Sequence, residues 1–327
     1  MTAPVKLAVV GAGAMAREHL RAFSDIPGVA LVGIHSRTPD KAVALAQEFA
    51  IDQVCASIDQ LYTRCRPDLV VVCVSVLSMK EVCCACFEHP WVILTEKPLG
   101  HDLAEAEAIA SAAGDAAKRT FVAFNRRFYH ATQTAHADLA HRDGTRFIHV
   151  LDQQNIASAQ DAGHPESVAA NFMFANSVHL IDYLRVFGRG CISRVDSIIP
   201  WRGRDTQVVL ARIAFDSGDE GLYEGVWNGP GPWAVSVSTP SRRWEMRPLE
   251  TAAYQEAGER QTVLVEPHLD DQILKPGLRR QAEAAVSAVR GNRAHGLTSL
   301  LDSLSTMRLI QAIFASESKG NERDSAP

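Results

Sequence analysis

Surplus positive charge, long apolar runs and regularly spaced cysteines are all missing from this sequence. Lys and Arg number 33 against 38 Asp and Glu, a formal net charge of -5, and no long basic run occurs. That balance leaves no electrostatic footprint for nucleic acid or an anionic membrane surface, so a small-molecule partner is expected. The longest apolar stretch, Leu69 to Met79, is broken by Ser75 and Ser78 and falls short of the roughly 20 residues that a membrane helix needs. The cysteines are odd in number, 7, and the group Cys83, Cys84 and Cys86 has the spacing of neither a zinc site nor a disulfide framework. They read as reduced buried thiols, with no metal site. Only Lys6 precedes the first apolar stretch, which holds spaced glycines rather than a cleavage site, so a cytoplasmic location is expected.

What is present is a rhythm. Short β-branched runs (Lys6 to Val10, Ala30 to His35, Leu69 to Ser75, Trp91 to Thr95, Thr120 to Phe124) alternate with helix-period segments (Ala14 to Ser24, Pro39 to Phe49, Met79 to Glu88, Leu103 to Ala113). This predicts an α/β Rossmann domain over residues 1–124, with a doubly wound parallel sheet buried on both faces. Beyond Asn125 strands follow one another, as in Arg146 to Asp152 and Gln207 to Phe215, with turn residues between later ones. Residues 125–327 therefore read as an α+β domain with an open-faced antiparallel sheet, one helix over Ser177 to Phe187, and a closing helix over Ser299 to Ala315. Glu317 to Pro327 is polar and expected to fray.

Three signals carry chemistry. Gly11-Ala-Gly13-Ala-Met-Ala16 follows a buried strand and opens a helix: Gly11 permits the tight turn, Gly13 the approach of a pyrophosphate, and Ala16 close helix-strand packing. Gly11, Gly13, Ala14 and Met15 are thus cofactor candidates, with Ser75, Glu96, Lys97 and Asn125 at later strand ends. The second strand ends in His35-Ser36-Arg37-Thr38, with Lys41 a turn later and no carboxylate to meet a ribose. Ser36, Arg37 and Lys41 suit a 2′-phosphate, favouring NADP over NAD, although both cations also suit a solvated surface. Second comes Glu96-Lys97-Pro98 at the carboxyl end of a strand, where a lysine can hold a substrate oxygen or where the chain simply turns. Third, His179-Leu-Ile-Asp182 puts an imidazole and a carboxylate on one helix face; it suits an oriented acid/base or a structural histidine.

In their order along the chain, Gly11 to Ala16, Glu96-Lys-Pro98, Asn125-Arg-Arg-Phe128, His179-Leu-Ile-Asp182 and Leu297-Thr-Ser-Leu-Leu-Asp-Ser-Leu resemble the Gfo/Idh/MocA oxidoreductases. That resemblance implies NAD(P) and hydride transfer at a carbon of a sugar, cyclitol or related polyol. It also implies Lys97 on the reacting oxygen, His179 as acid/base, a Lys97-Pro98 bond that is often cis, and a homodimer or homotetramer paired through the sheet. Two departures stand out. Many members carry an Asp four residues before the histidine, where this chain has Ala175, and their Pro and His after the strand ending near Ser75 are replaced by Val76 to Met79.

Asn176 and Ser177 supply hydrogen bonding but no base, so the chemistry rests on Lys97 and His179. Asn176, Asp182, Arg127 and Trp227 are the substrate-side candidates. The tryptophans and arginines of Trp201-Arg-Gly-Arg204, Trp227 to Trp233 and Arg242-Arg-Trp244 suit either an anionic or nucleotide-linked sugar or a sheet core with a charged rim. Ala175 keeps a competing reading open, a non-catalytic nucleotide-binding sensor or assembly protein of the same fold. A methyltransferase would leave Lys97 and His179 unexplained.

Overall fold

The computed structural model describes residues 3–292 and 296–315; the Glu317 to Pro327 tail lies outside them. Strands β1 (Val5–Val10), β2 (Val29–His35), β3 (Val54–Cys55), β4 (Leu69–Val72), β5 (Val92–Thr95) and β6 (Thr120–Val122) form a parallel sheet in the order β6-β5-β4-β1-β2-β3. The side chains of β4 are wholly buried, as expected for a strand covered on both faces. Helices α1 (Ala14–Ser24), α2 (Pro39–Glu48), α3 (Ile58–Cys65), α4 (Met79–Phe87) and α5 (Leu103–Ala113) connect them. β4 ends at Val72 rather than Ser75 because its neighbours stop level with it: Val10 and Thr95 both pair with Val72. Cys73 to Ser75 therefore leave the sheet and are free to line a cleft. The short α3, unforeseen in the sequence, starts where the Ser57 hydroxyl accepts a bond from the Gln60 amide.

The second sheet has eight strands, β7 (Phe147–Gln154), β8 (Ile192–Ile199), β9 (Val208–Phe215), β10 (Glu220–Trp227), β11 (Ala234–Ser238), β12 (Arg242–Met246), β13 (Ala252–Glu256) and β14 (Val263–Val265). Its order is β14-β13-β12-β11-β7-β10-β9-β8. Every neighbouring pair is antiparallel except β7 with β10, which run parallel. Alternate residues of β7 and β10 are buried, the two-residue period of a sheet with one covered face. The cover includes the helix Val178–Phe187, which contacts β7 and also the closing helix Leu300–Ile313.

The end of the chain returns to the first sheet. A short strand β15 (Thr298–Ser299) pairs antiparallel with β6, and the helix Leu278–Val289 packs on α1. Among the described residues no helix is long and apolar enough to cross a membrane.

Candidate active site

The glycine loop has the geometry a dinucleotide needs. Gly11 has φ +109°, and a Cβ there would lie 2.0 Å from the Cys73 carbonyl oxygen, so only glycine fits. Gly13 is different: its φ of -89° is ordinary, and a Cβ on it would meet nothing within 4 Å. It stands at the N-terminus of α1, whose first turn has no acidic residue and no side-chain cap. Backbone amides and the helix dipole thus face open space, the setting for a pyrophosphate. A cleft of about 280 Å³ there is lined by Gly11, Gly13, Ser36, Arg37, Lys41 and Ser75, among others. It meets a second hollow of about 700 Å³ at His35, Ser36 and Arg37. Arg37 donates to Ser78 Oγ at 2.8 Å, and Ser78 Oγ is 2.9 Å from Ser75 Oγ, which fixes the guanidinium at the cleft wall. Ala14 and Met15 open α1 beside it. These residues fit NAD(P).

Lys97 lies at the end of β5, and its peptide bond to Pro98 is cis. Glu96 is buried and bonds His19 Nε2 at 2.8 Å, while its other oxygen accepts from the Lys97 backbone amide at 3.2 Å. His19, on the buried face of α1 and 1% exposed, was not foreseen; its place beside Ala16, Leu20 and Phe23 in the helix period was the available signal. Lys97 Nζ crosses to the other domain and donates to the Ala175 carbonyl at 3.0 Å. Burial, opposed by Glu96 and aided by Arg126 and Lys275, lowers its pKa to about 8.

Ala175 belongs to a π-helical turn, Met173–Ser177, that leads into the helix bearing His179. The imidazole is 7% exposed, stands edge-on to Phe124 at 6.1 Å between centroids, and its Nδ1 has no protein partner. Burial first, then the charges of Lys97, Arg126 and Lys275, push its pKa well below 6.5. Neutral imidazole is the form present at pH 7. Asn176 Nδ2 donates to Gln154 Oε1 at 2.9 Å, and Gln154 in turn donates to the buried Asp152 at 2.6 Å.

Three sequence-based assignments change, and one open alternative is decided. Asp182 does not orient His179: its two oxygens accept from Arg127 Nε and Nη2, both at 2.7 Å, and from Thr306 Oγ1 at 2.9 Å. Arg127 therefore does not bind substrate, since Asp182 and Asp302 (2.6 Å) consume its guanidinium. Trp227 is 1% exposed between Trp201 and Phe314, so it is core. Of the two readings of the later arginines, the rim fits Arg242, which pairs with Asp138 and Glu256, and Arg204, which pairs with Glu166. Asn125 is buried in the turn after β6, and its amide is spent on the Pro276 carbonyl at 3.0 Å. The guanidinium whose charge helps to lower the pKa values of Lys97 and His179 is instead that of Arg126, the neighbour of the arginine singled out in the sequence. One residue's difference at a turn decides which guanidinium is structural.

A buried ion pair that loses one partner costs about 3–5 kcal/mol. We therefore expect Arg127→Met to lower the unfolding free energy in urea by about that much while NADP binding, measured by calorimetry on the folded fraction, is kept. Full stability in this variant would return Arg127 to a binding role.

Comparison with known proteins agrees with the geometry. Residues 5–124 match the family model described as an oxidoreductase family with an NAD-binding Rossmann fold. A 4-carboxy-2-hydroxymuconate-6-semialdehyde dehydrogenase of Sphingobium sp. is 25% identical over 182 residues, 54% of this chain and 57% of that protein. A D-apiose dehydrogenase of Paraburkholderia graminis is 26% identical over 216 residues, 63% of this chain and 56% of that one. The chain thus spans little more than half the length of these relatives. In fold it is similar to a dehydrogenase from Chromobacterium violaceum (TM-score 0.82, 20% identity, 95% and 94% of the two chains). It is also similar to a levoglucosan dehydrogenase solved with NADH and levoglucosan (TM-score 0.76, 17% identity, 95% and 96%). The glycine loop and Lys97 lie within residues 5–124, the stretch that matches the Gfo/Idh/MocA oxidoreductase family model.

Proposed function

We propose that the protein is an NAD(P)-dependent dehydrogenase acting on a CH–OH group of a sugar-like substrate, with Lys97 and His179 as its catalytic residues. The observation that carries the reading is the convergence of a lysine of lowered pKa and a neutral buried histidine beside the cleft that fits the cofactor. The bound nicotinamide supplies or accepts the hydride. Lys97, titrating near 8, takes the substrate hydroxyl proton in oxidation and returns it in reduction. His179 is neutral and holds the same oxygen by a hydrogen bond, a division of labour that the sequence alone did not give.

The sign of the pH dependence follows. Below about pH 8 Lys97 is protonated and cannot accept a proton, so kcat/KM for oxidation rises through that pH and the reductive rate falls. Nicotinamide absorbance with a panel of sugars, cyclitols and sugar acids tests this. Lys97→Ala and His179→Ala should each lose about 10²- to 10⁴-fold in turnover. Turnover like the parent's in both variants would remove the assignment. If the parent converts nothing across the panel, the alanine at 175 favours a non-catalytic nucleotide-binding protein instead.

Within the same reading the cofactor is NADP in preference to NAD, because Ser36, Arg37 and Lys41 line the cleft where an acidic residue would otherwise meet the ribose. NADP should bind about ten- to a hundredfold more tightly than NAD, a difference that Arg37→Ala abolishes. Gly13→Val keeps the fold, since its Cβ points into open space, yet fills the pyrophosphate site. Calorimetry showing equal NAD and NADP affinity, or undiminished affinity in Gly13→Val, would overturn these placements.

The open face of the second sheet carries exposed Phe147 on β7, Ile198 and Ile199 on β8, and Leu264 on β14. Covering that face by a second copy gives a homodimer or a dimer of dimers. Sedimentation as a monomer at micromolar concentration counts against it.

A further inference from the structure

We infer that the substrate is a carboxylate, its anionic group held by the guanidinium of Arg126 and the ammonium of Lys275 beside Lys97. The dehydrogenase reading supplies the reaction, whereas the anion site rests on contacts of its own. Arg126 lies in the turn Asn125–Phe128 that follows β6, and its guanidinium carbon sits 4.5 Å from the centre of the Trp233 ring. Trp233 is itself anchored, its Nε1 donating to the Gln153 carbonyl at 2.7 Å. Stacking on an indole leaves the rim of a guanidinium available, and the planar fork of that rim matches a carboxylate. Arg126 Nη1 is buried and has no hydrogen-bond partner in the protein, a condition that costs free energy until an acceptor arrives.

Nearby carboxylates are already engaged. Glu96 serves His19 and the Lys97 amide, Asp182 serves Arg127 and Thr306, and Asp152 accepts from Tyr223 and Gln154. Asp271 accepts from the amides of His130 and Gly277 and from Arg280. Among the described residues Lys97, Arg126 and Lys275 form no ion pair. The loop carrying Lys275 is fixed against the same turn: Asn125 Nδ2 bonds the Pro276 carbonyl, and a Cβ on Gly277 would lie 2.1 Å from the Asn125 carbonyl oxygen. The charges of Arg126 and Lys275 are felt at both Lys97 and His179, whose pKa values they help to lower after burial. Glu96 is felt at Lys97, but Arg126 and Lys275 form no ion pair, a surplus of positive charge that a neutral polyol leaves uncompensated and that a hydroxy-carboxylate, such as a sugar acid, completes.

Matched pairs of acid and neutral sugar test the inference on the full chain loaded with NADP. Calorimetry and nicotinamide absorbance are followed with D-glucuronate and D-gluconate against D-glucose and myo-inositol. The acids should bind more tightly and be preferred in kcat/KM. Arg126→Gln and Lys275→Gln should each reduce that acid-to-neutral ratio about ten- to a hundredfold. Lys275 is exposed, so its variant keeps the fold even if Arg126→Gln does not. Turnover of the neutral sugars without preference for the acids overturns the anion site and leaves the dehydrogenase reading standing. Acid binding that both variants lose, with no absorbance change, supports the anion site and removes the dehydrogenase reading. Absence of acid binding, or an acid preference untouched in Lys275→Gln and in folded Arg126→Gln, overturns the inference.

Discussion

Arg127 is the interaction on which the site depends. It belongs to the turn after the last parallel strand, and it reaches Asp182 on the helix of His179 and Asp302 on the closing helix. Arg185, one turn beyond Asp182, also bonds Asp302 at 2.7 Å. Two arginines and two carboxylates therefore tie together three segments that sequence keeps far apart. Because a guanidinium fork accepts only a narrow range of carboxylate directions, the helix carrying His179 is fixed in rotation as well as position. The same turn sends Arg126, one residue earlier, onto the Trp233 ring. Two guanidinium groups with different partners, Asp182 and the Trp233 ring, thus share one backbone constraint.

Electrostatics at the reacting end follow from which carboxylates are absent. Glu96 alone opposes the lowering of the Lys97 pKa, and its oxygens are held by His19 and a backbone amide. Burial and two like charges outweigh it, which moves a lysine into the range where proton transfer near neutral pH is efficient. The same burial and cations keep His179 neutral. An amine and an imidazole that would titrate at their ordinary values in water are thus both shifted downward by the same two causes, burial and neighbouring cations.

Much of the fold was legible because its signals are periodic. The first helix and the fifth match their expected limits, Ala14–Ser24 and Leu103–Ala113, and the parallel strands read as continuous apolar runs. Helices outside that rhythm, such as Ile58–Cys65, His130–Leu139 and Leu278–Val289, were not foreseen. They are short, or amphipathic within polar stretches, and their definition comes from tertiary packing. At the site, residues set by local spacing were readable: the glycine loop, Lys97 and His179. Residues set by topology were not. The helix face shared by His179 and Asp182 suggested that one orients the other, but the carboxylate was claimed by an arginine 55 positions away. Long-range pairing of this kind leaves no trace in spacing.

Ala175 shows how a departure from the family pattern acts through physics rather than through loss alone. Lys97 Nζ donates to the carbonyl of this same residue, so an Asp side chain here would put a carboxylate within one peptide unit of the ammonium. Such a charge would favour the protonated amine and raise its pKa, opposing burial in the same direction as Glu96. It would also offer Arg126 and Lys275 a counter-charge inside the protein. With alanine, the lysine keeps a neutral acceptor, its pKa falls to about 8, and Glu96 remains the carboxylate that opposes the fall. An alanine at this position therefore leaves burial and the neighbouring cations to set the Lys97 pKa against Glu96 alone.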